Sequence, residues 1–144
     1  MACNNGEFVI GVHYRGDLYV HAVQLRCGKI SGKSVVYVHE TDWYGGGGGS
    51  RSSFANCPST IPGVTGISAR GGDYVDAIST QFCAGVDAST RQVSTSKTGG
   101  AGSPVGGAGG TRIDLRCPAG EVLGGFKIIW GSWLDSLQGF CVRP

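Results

Sequence analysis

The chain has 144 residues, of which 15% are charged, and its net charge at neutral pH is +2. This length suits a single domain with its own core, and we predict one domain spanning residues 1–144. The weak charge and the absence of any lysine or arginine run argue against nucleic-acid binding. No apolar stretch approaches the roughly 20 residues that a membrane helix needs. The opening MACNNGE lacks the pattern of a signal peptide, so we expect any such peptide to have been removed.

The predicted elements are strands throughout. Short segments rich in β-branched and aromatic residues are separated by glycine and proline: EFVIGVHY, LYVHAVQLRC, KSVVYVHETDWY, TGISA, YVDAISTQF, TRIDLRC and EVLGGFKIIW. No stretch shows a convincing helical period of 3.6 residues. The sequence therefore predicts an all-β protein.

Glycine is the outlier of the composition, with 27 residues where an average protein has about 7%. It is concentrated in the runs YGGGGGS (residues 44–50) and TGGAGSPVGGAGG (residues 98–110). Such runs are typical of flexible linkers, but here each separates segments too short to fold alone. We therefore favour ordered loops of one domain, and plain disordered loops remain the alternative.

Six cysteines in a chain this poor in charge favour an oxidising compartment and secretion. They form three pairs with separations of 24, 26 and 24 residues, which predict the disulfides Cys3–Cys27, Cys57–Cys83 and Cys117–Cys141. No pair has the Cys-x-x-Cys spacing of a zinc or redox site, and the three histidines do not cluster with the cysteines. We therefore predict no metal and no cofactor. Six reduced, buried cysteines in a cytosolic protein are the alternative.

The chain also contains a threefold repeat. The spacing is ten residues from Gly11 to His21, from Gly66 to Asp76 and from Gly125 to Asp135. Three aromatic residues, Tyr19, Tyr74 and Trp133, occupy one column of this alignment. We predict repeats at approximately 1–44, 45–98 and 99–144, a unit nominally of about 60 residues. Three such units should close around a pseudo-threefold axis as a three-sheet β-prism.

The segment GGAGGTRIDLRCPAGEVLGGFKIIWGSWLDSLQGF (residues 106–140) resembles the repeat of jacalin-related lectins, and TGISARGGDYVDAIS (residues 65–79) matches the same portion. In that family a glycine-rich turn and a Gly-x-x-x-Asp loop together bind carbohydrate. The resemblance implies a β-prism fold and metal-free sugar binding. The cysteines depart from the plant lectins and resemble the pattern of vitelline membrane outer layer proteins, which are secreted.

The resemblance implies one complete site in the second repeat. Its loop carries Gly72, Asp73, Tyr74 and Asp76. The carboxylate of Asp76 would accept bonds from sugar hydroxyls, while the backbone amides of Asp73 and Tyr74 would donate to neighbouring oxygens. This loop should face the glycine loop at residues 106–110, with Gly109 or Gly110 closest to the sugar.

The other two repeats depart from the pattern. In the third repeat the loop is Gly131, Ser132, Trp133 and Asp135, but the chain starts too late to supply the glycine loop that should face it. In the first repeat Asp17 and His21 replace the glycine and the aspartate, so we expect a weak or inactive half-site facing residues 45–49. For Asp76 and Asp135, capping of a tight turn is the alternative role.

These observations predict a secreted lectin that binds mannose- or glucose-type sugars on glycans or glycoproteins. A structural protein of an extracellular coat or matrix is the alternative. An enzyme is disfavoured because the chain has no Gly-x-Ser-x-Gly, His-Glu-x-x-His or phosphate-loop motif. The tripeptide RGD at residues 15–17 falls in a column of the repeat, which explains it without an adhesion function.

The truncated N-terminal repeat predicts a short third sheet with an unpaired edge near GFCVRP. An unpaired edge tends to be blunted or paired, so we predict a homodimer in which this sheet packs against its symmetry mate.

Overall fold

The computed structural model describes residues 1–99 and 103–144; residues 100–102, within the second glycine run and at the start of the third predicted repeat, lie outside it. The described chain forms twelve strands and no helix, which confirms the predicted all-β class. It therefore contains no helix able to span a membrane. The strands are β1 (Phe8–Gly16), β2 (Val20–Ser31), β3 (Ser34–Glu40), β4 (Tyr44–Gly45), β5 (Arg51–Asn56), β6 (Gly63–Gly71), β7 (Val75–Ala84), β8 (Lys97–Gly99), β9 (Val105–Gly106), β10 (Thr111–Arg116), β11 (Val122–Trp130) and β12 (Leu134–Val142).

The strands form three antiparallel sheets, each built on one hairpin. The first sheet has the order β3-β2-β1-β5, with β4 also pairing with β2. The second has the order β10-β6-β7-β8, with β9 also pairing with β7. The third contains β11 and β12. In the first two sheets, each glycine run crosses the end of the hairpin, so that the strands before and after it lie on opposite edges of one sheet.

Every predicted segment contains a strand, but several bounds differ and further strands lie outside these segments, as two examples show. The segment KSVVYVHETDWY was predicted to continue to Tyr44, but β3 ends at Glu40. The sequence RSSFAN forms β5, which the strand pattern did not reveal because its serines weaken the apolar alternation. Pairing with the buried β1 stabilises β5 despite this composition.

The glycine column of the repeat marks the place where a distant segment crosses each hairpin. A β-carbon on Gly11 would overlap Asn56, one on Gly66 would overlap the backbone of Leu115, and one on Gly125 would overlap the backbone of Met1. Each hairpin has a register shift at the same point, one residue before the glycine. Close approach of backbone to backbone therefore requires glycine at these positions.

One core lies between the three sheets. Its largest fully buried side chains include Tyr14 and Leu25 of the first sheet, Ile67 and Ile78 of the second, and Phe126 of the third. Each sheet presents one apolar face to this common cluster, and none of the hairpins has a core of its own.

Disulfides join the sheets in a ring. Cysteine pairs form as the spacing predicts: Cys3–Cys27, Cys57–Cys83 and Cys117–Cys141. The backbone amide of the first cysteine in each pair donates a hydrogen bond to the carbonyl at the register shift of one hairpin. The second cysteine lies in the second strand of another hairpin. The bonds therefore connect the third sheet to the first, the first to the second and the second to the third. In the chain-entropy view each contributes about 3.5 kcal/mol.

The third sheet is the short one. Its first strand pairs with the N-terminal residues, because Ala2 lies opposite Gly125 and the amide of Phe126 donates to the Met1 carbonyl at 3.0 Å. Among the described residues no strand pairs with the outer edge of β12. Three large apolar side chains on this sheet are about half exposed: Ile129, Trp130 and Phe140.

The N-terminal segment is fastened to β3 by an ion pair between Glu7 Oε2 and His39 Nε2, at 2.8 Å. Burial opposes ionisation of Glu7, but hydrogen bonds from the Asn4 amide and from His39 outweigh it and lower the pKa of its carboxyl. The hydrogen bond to the Glu40 carbonyl, followed by the bond to Glu7, raises the pKa of the His39 imidazole.

This pair should stabilise the fold most in mildly acidic solution. The raised pKa of His39 contributes stability that is fully present below its unfolded value of 6.5 and is lost at higher pH. The lowered pKa of Glu7 contributes stability that is present above 4.5 and is lost in acid. Urea unfolding of the wild type and of Glu7→Gln should therefore differ more near about pH 5.5 than near about pH 8.5. Because His39 is partly exposed, the expected difference is only on the order of 0.5 kcal/mol. Equal differences at both pH values would contradict this role.

Candidate functional site

The three hairpins turn at the same end of the molecule, and their turns share one geometry. In each, the amide of the first turn residue donates to the carbonyl two residues later: Asp17 to Tyr19, Gly72 to Tyr74 and Gly131 to Trp133, at 3.0–3.1 Å. The predicted ligand loops, residues 72–76 and 131–135, therefore lie in corresponding positions.

The aromatic column forms a cluster between the three turns. The ring centroid of Tyr19 lies 5.4 Å from that of Tyr74 and 5.0 Å from that of Trp133, and the last two are 5.3 Å apart. The rings meet edge to face or tilted, which aromatic pairs prefer. These side chains thus pack on one another where the sheets converge, and the ring of Tyr74 stays 36% exposed.

The second hairpin and the second glycine run come together as the sequence predicts. Gly106 pairs with Ala77, and the Gly107 amide donates to the Asp76 carbonyl at 2.8 Å. The carboxylate of Asp76 lies directly against Gly109 and Gly110, where an added β-carbon would overlap its oxygens.

The conformation of this run also requires glycine. Gly106 and Gly110 have φ angles of +116° and +66°, in the region that other residues rarely adopt. The backbone can therefore cover Asp76 closely because side chains are absent on that side.

The carboxylate of Asp76 has an unusual environment. The residue is 8% exposed, its side chain accepts no hydrogen bond from residues 1–99 or 103–144, and its oxygens are not fully buried. The amides of Asp73 and Tyr74 likewise donate to no acceptor within these residues. The loop thus carries one anionic acceptor and two amide donors for a ligand with adjacent hydroxyl groups.

Arg70 holds the glycine run in place, a role that the sequence interpretation missed. Its Nε and one terminal nitrogen donate to the carbonyls of Gly109 and Gly110, both at 2.8 Å. In the corresponding position of the first hairpin, Arg15 donates to the Gly46 carbonyl at 3.0 Å. This shared arginine column was the signal that could have revealed the role.

In the first hairpin the corresponding groups are occupied. His21 Nε2 lies 3.0 Å from Asp17 Oδ1, and the same oxygen accepts the Leu18 amide at 2.6 Å. These bonds, that from His21 first, lower the pKa of the Asp17 carboxyl. The ring of His21 faces Gly48 of the first glycine run. Leu18 corresponds to Asp73. The Leu18 amide is bonded to Asp17, whereas the equivalent Asp73 amide has no acceptor in the second hairpin.

The third loop meets a different partner. Gly46 lies against the backbone of Gly131 and Ser132, so the first glycine run contacts this loop from its side. Ile129 occupies the position of the loop-holding arginines. Asp135 is exposed, whereas Asp76 is buried.

The RGD tripeptide is engaged within the molecule. Besides its bond to Gly46, Arg15 lies 4.9 Å from the ring centroid of Trp43, and Asp17 is bonded to His21. Both charged groups thus have internal partners.

The described residues contain one group with metal-ligand geometry, Glu7, Cys27 and His39. The sulfur of Cys27 is bonded to Cys3, so it cannot act as a thiolate ligand. This group is explained by the ion pair described above.

Solved structures with this architecture are lectins. Malaysian banana lectin has a TM-score of 0.58 and 16% identity, over 100% of this chain and 95% of that chain. A mannose binding jacalin related lectin from Ananas comosus has a TM-score of 0.61 and 14% identity, over 100% of this chain and 88% of that chain. A variant of Malaysian banana lectin has a TM-score of 0.59 and 16% identity, over 100% of this chain and 94% of that chain. No protein-family model and no curated protein matches the sequence.

The architecture is thus that of a jacalin-related lectin, and the resemblance seen in the sequence is confirmed for the fold. Identities of 14–16% show shared architecture and leave the binding residues to be argued from their own geometry.

Substituting Arg70 with Gln should loosen the glycine run while leaving the fold intact. Hydrogen exchange of the Gly107 amide, which is bonded to Asp76, should accelerate at least about tenfold because two charge-assisted bonds are lost. Arg112→Gln is the control, since Arg112 forms an exposed pair with Asp114 at 3.3 Å on the neighbouring strand. An unchanged rate in Arg70→Gln would show that the run is held by other contacts.

Proposed function

We propose that the protein is a metal-independent lectin whose main site lies between residues 72–76 and 106–110. The observation that carries this proposal is the carboxylate of Asp76, which accepts no hydrogen bond from the described chain and lies against Gly109 and Gly110, in the loop whose Asp73 and Tyr74 amides are also unused. A carboxylate without internal donors can accept from a ligand that supplies them.

A pyranose fits these groups. Two adjacent hydroxyls can donate to Asp76 in charge-assisted bonds, and their oxygens can accept from the two amides. Gly109 and Gly110 allow the ring to approach the backbone without obstruction. The ring of Tyr74, partly exposed, is available to a C–H face of the sugar. Binding of the sugar requires only this one carboxylate, whereas glycoside hydrolysis would require two.

The proposed ligands are mannose- or glucose-type glycans on glycoproteins or polysaccharides. The intact glycine loop supports this choice, as does the architecture shared with a lectin described as mannose binding. Three disulfides support secretion into an extracellular medium. The third loop, with Gly131, Ser132, Trp133 and Asp135, and the first, with His21, are assigned lesser roles because neither combines an accessible aspartate with a facing glycine run.

Asp76→Ala should weaken binding of methyl α-mannoside by more than about tenfold, because charge-assisted bonds of ~1.5–3 kcal/mol each are lost. Titration calorimetry measures the affinity directly. Asp17→Ala is the control, since it removes the one carboxylate of the first turn, and it should change the affinity little.

Equal losses in the two variants would refute the assignment of the site. If the folded wild type binds no sugar on a glycan array, the lectin proposal fails and the structural role in a coat or matrix takes its place.

We also propose a homodimer formed through the third sheet. The register places Ile129 on the same outer face as Phe140, whose ring covers Gly124 and Gly125, and Trp130 lies at the end of the same strand. An exposed apolar face on a two-stranded sheet favours association with a second copy. A dimer places two sites on one particle, which cross-linking of glycans requires.

Ile129→Glu should convert the dimer to a monomer, because the dimer would bury a charge beside its symmetry-related copy. Sedimentation equilibrium at micromolar concentration measures the mass. Val36→Glu, which adds the same charge at a partly exposed position of the first sheet, should leave the mass unchanged. A monomeric wild type would contradict the proposal.

A further inference from the structure

A groove lies beside the proposed site, at the junction of the second and third sheets. Its volume is about 210 Å³, several times the roughly 30 Å³ that one water molecule occupies in the liquid. Its lining includes Gly72 and Tyr74 of the proposed sugar-binding loop, Ile113 of β10, and Asp135, Ser136 and Leu137 of β12.

The groove exists because the third sheet differs from the other two at one point. In the first sheet the third and fourth residues of the second hairpin strand, Ala22 and Val23, pair with β4. In the second sheet Ala77 and Ile78 pair with β9. The corresponding residues of β12 are Ser136 and Leu137, which pair with β11 on one side, have no strand on the other side among the described residues, and line the groove instead.

The groove is continuous with the proposed site. Gly72 lines it, and a β-carbon at Gly72 would stand only 3.9 Å from Asp76 Oδ2 and 3.8 Å from the Gly110 backbone. Tyr74, a residue of the proposed sugar-binding loop, lines the groove as well. A sugar bound at Asp76 would therefore have its neighbouring unit directed along this surface.

The lining has the chemistry that a second sugar unit requires. Ile113 is 48% exposed and, with the ring of Tyr74, offers apolar surface for C–H faces. The carboxylate of Asp135 and the hydroxyl of Ser136 offer polar groups to ring hydroxyls. A sugar unit has both C–H faces and hydroxyl groups, so it needs both apolar surface and polar groups. A purely apolar groove would instead favour a protein segment.

We propose that this groove is an extension subsite for an oligosaccharide of at least two sugar units. Asp135 then contacts the unit next to the one held by Asp76. The inference rests on the proposed function at Asp76. It gives Asp135 a role in the same ligand complex, in place of an independent site completed by an N-terminal glycine loop.

The test compares a monosaccharide with a trisaccharide on the wild type and two variants. Methyl α-mannoside and an α-linked mannotriose are titrated calorimetrically into the wild type, Asp135→Ala and Asp42→Ala, which removes an equal charge outside the groove. Asp135→Ala should weaken trisaccharide binding about tenfold, the loss expected for one charge-assisted bond. Binding of the monosaccharide should stay within about twofold, since in this proposal Asp135 contacts only the neighbouring sugar unit. Asp42→Ala should change neither affinity.

A second readout locates the ligand. The methyl signals of Ile113 and Leu137 in NMR spectra should shift with mannotriose and stay in place with methyl α-mannoside. If the wild type binds neither sugar, the proposed function fails and the extension fails with it. If it binds methyl α-mannoside through Asp76 but Asp135→Ala weakens both sugars equally, or neither, only the groove assignment is overturned.

Discussion

The structure depends on closing three sheets around one core that no sheet can form alone. Each hairpin buries one apolar face, and a segment from elsewhere in the chain crosses its outer edge at a glycine: β5 at Gly11, β10 at Gly66 and the N-terminus at Gly125. The cysteine next to each crossing is bonded to another sheet, so the closure is also covalent. For a 144-residue chain with 27 glycines, which lose much entropy on folding, these cross-links offset a cost that the core alone meets with difficulty.

Closure also determines where a ligand can bind. The same crossing that completes each sheet brings a glycine run over the end of a hairpin, beside the turn that ends its first strand. At the second hairpin this leaves Asp76 buried under glycine backbone. At the first, His21 Nε2 and Asp17 Oδ1 form a hydrogen bond with each other, so that this carboxylate is engaged within the molecule. The architecture thus offers three similar positions, and two or three side chains decide which of them presents an unsatisfied acceptor to a ligand.

Much of this arrangement could be predicted from the sequence, because a residue type found at the same position in all three repeats indicates a shared structural role. The cysteine pairs and the glycine column follow from the alignment of the repeats, and the meeting of Asp76 with residues 106–110 follows from the resemblance to jacalin-related lectins. What could not be predicted depends on packing in three dimensions. The alignment places Tyr19, Tyr74 and Trp133 in one column, but it does not reveal that their rings pack on one another. The strand RSSFAN has no apolar alternation and forms because β1 supplies its pairing partner.

The departures from symmetry carry the functional information. A perfect threefold repeat would cover Ser136 and Leu137 with a short strand, as Ala22 and Ala77 are covered in their sheets. It would also place an arginine where Ile129 stands. The third position differs in both respects: its outer face carries the exposed Ile129 and Phe140, and Ser136 and Leu137 line an open groove with Gly72 and Asp135. Equivalent positions of a repeat can thus present different surfaces while the shared core stays the same.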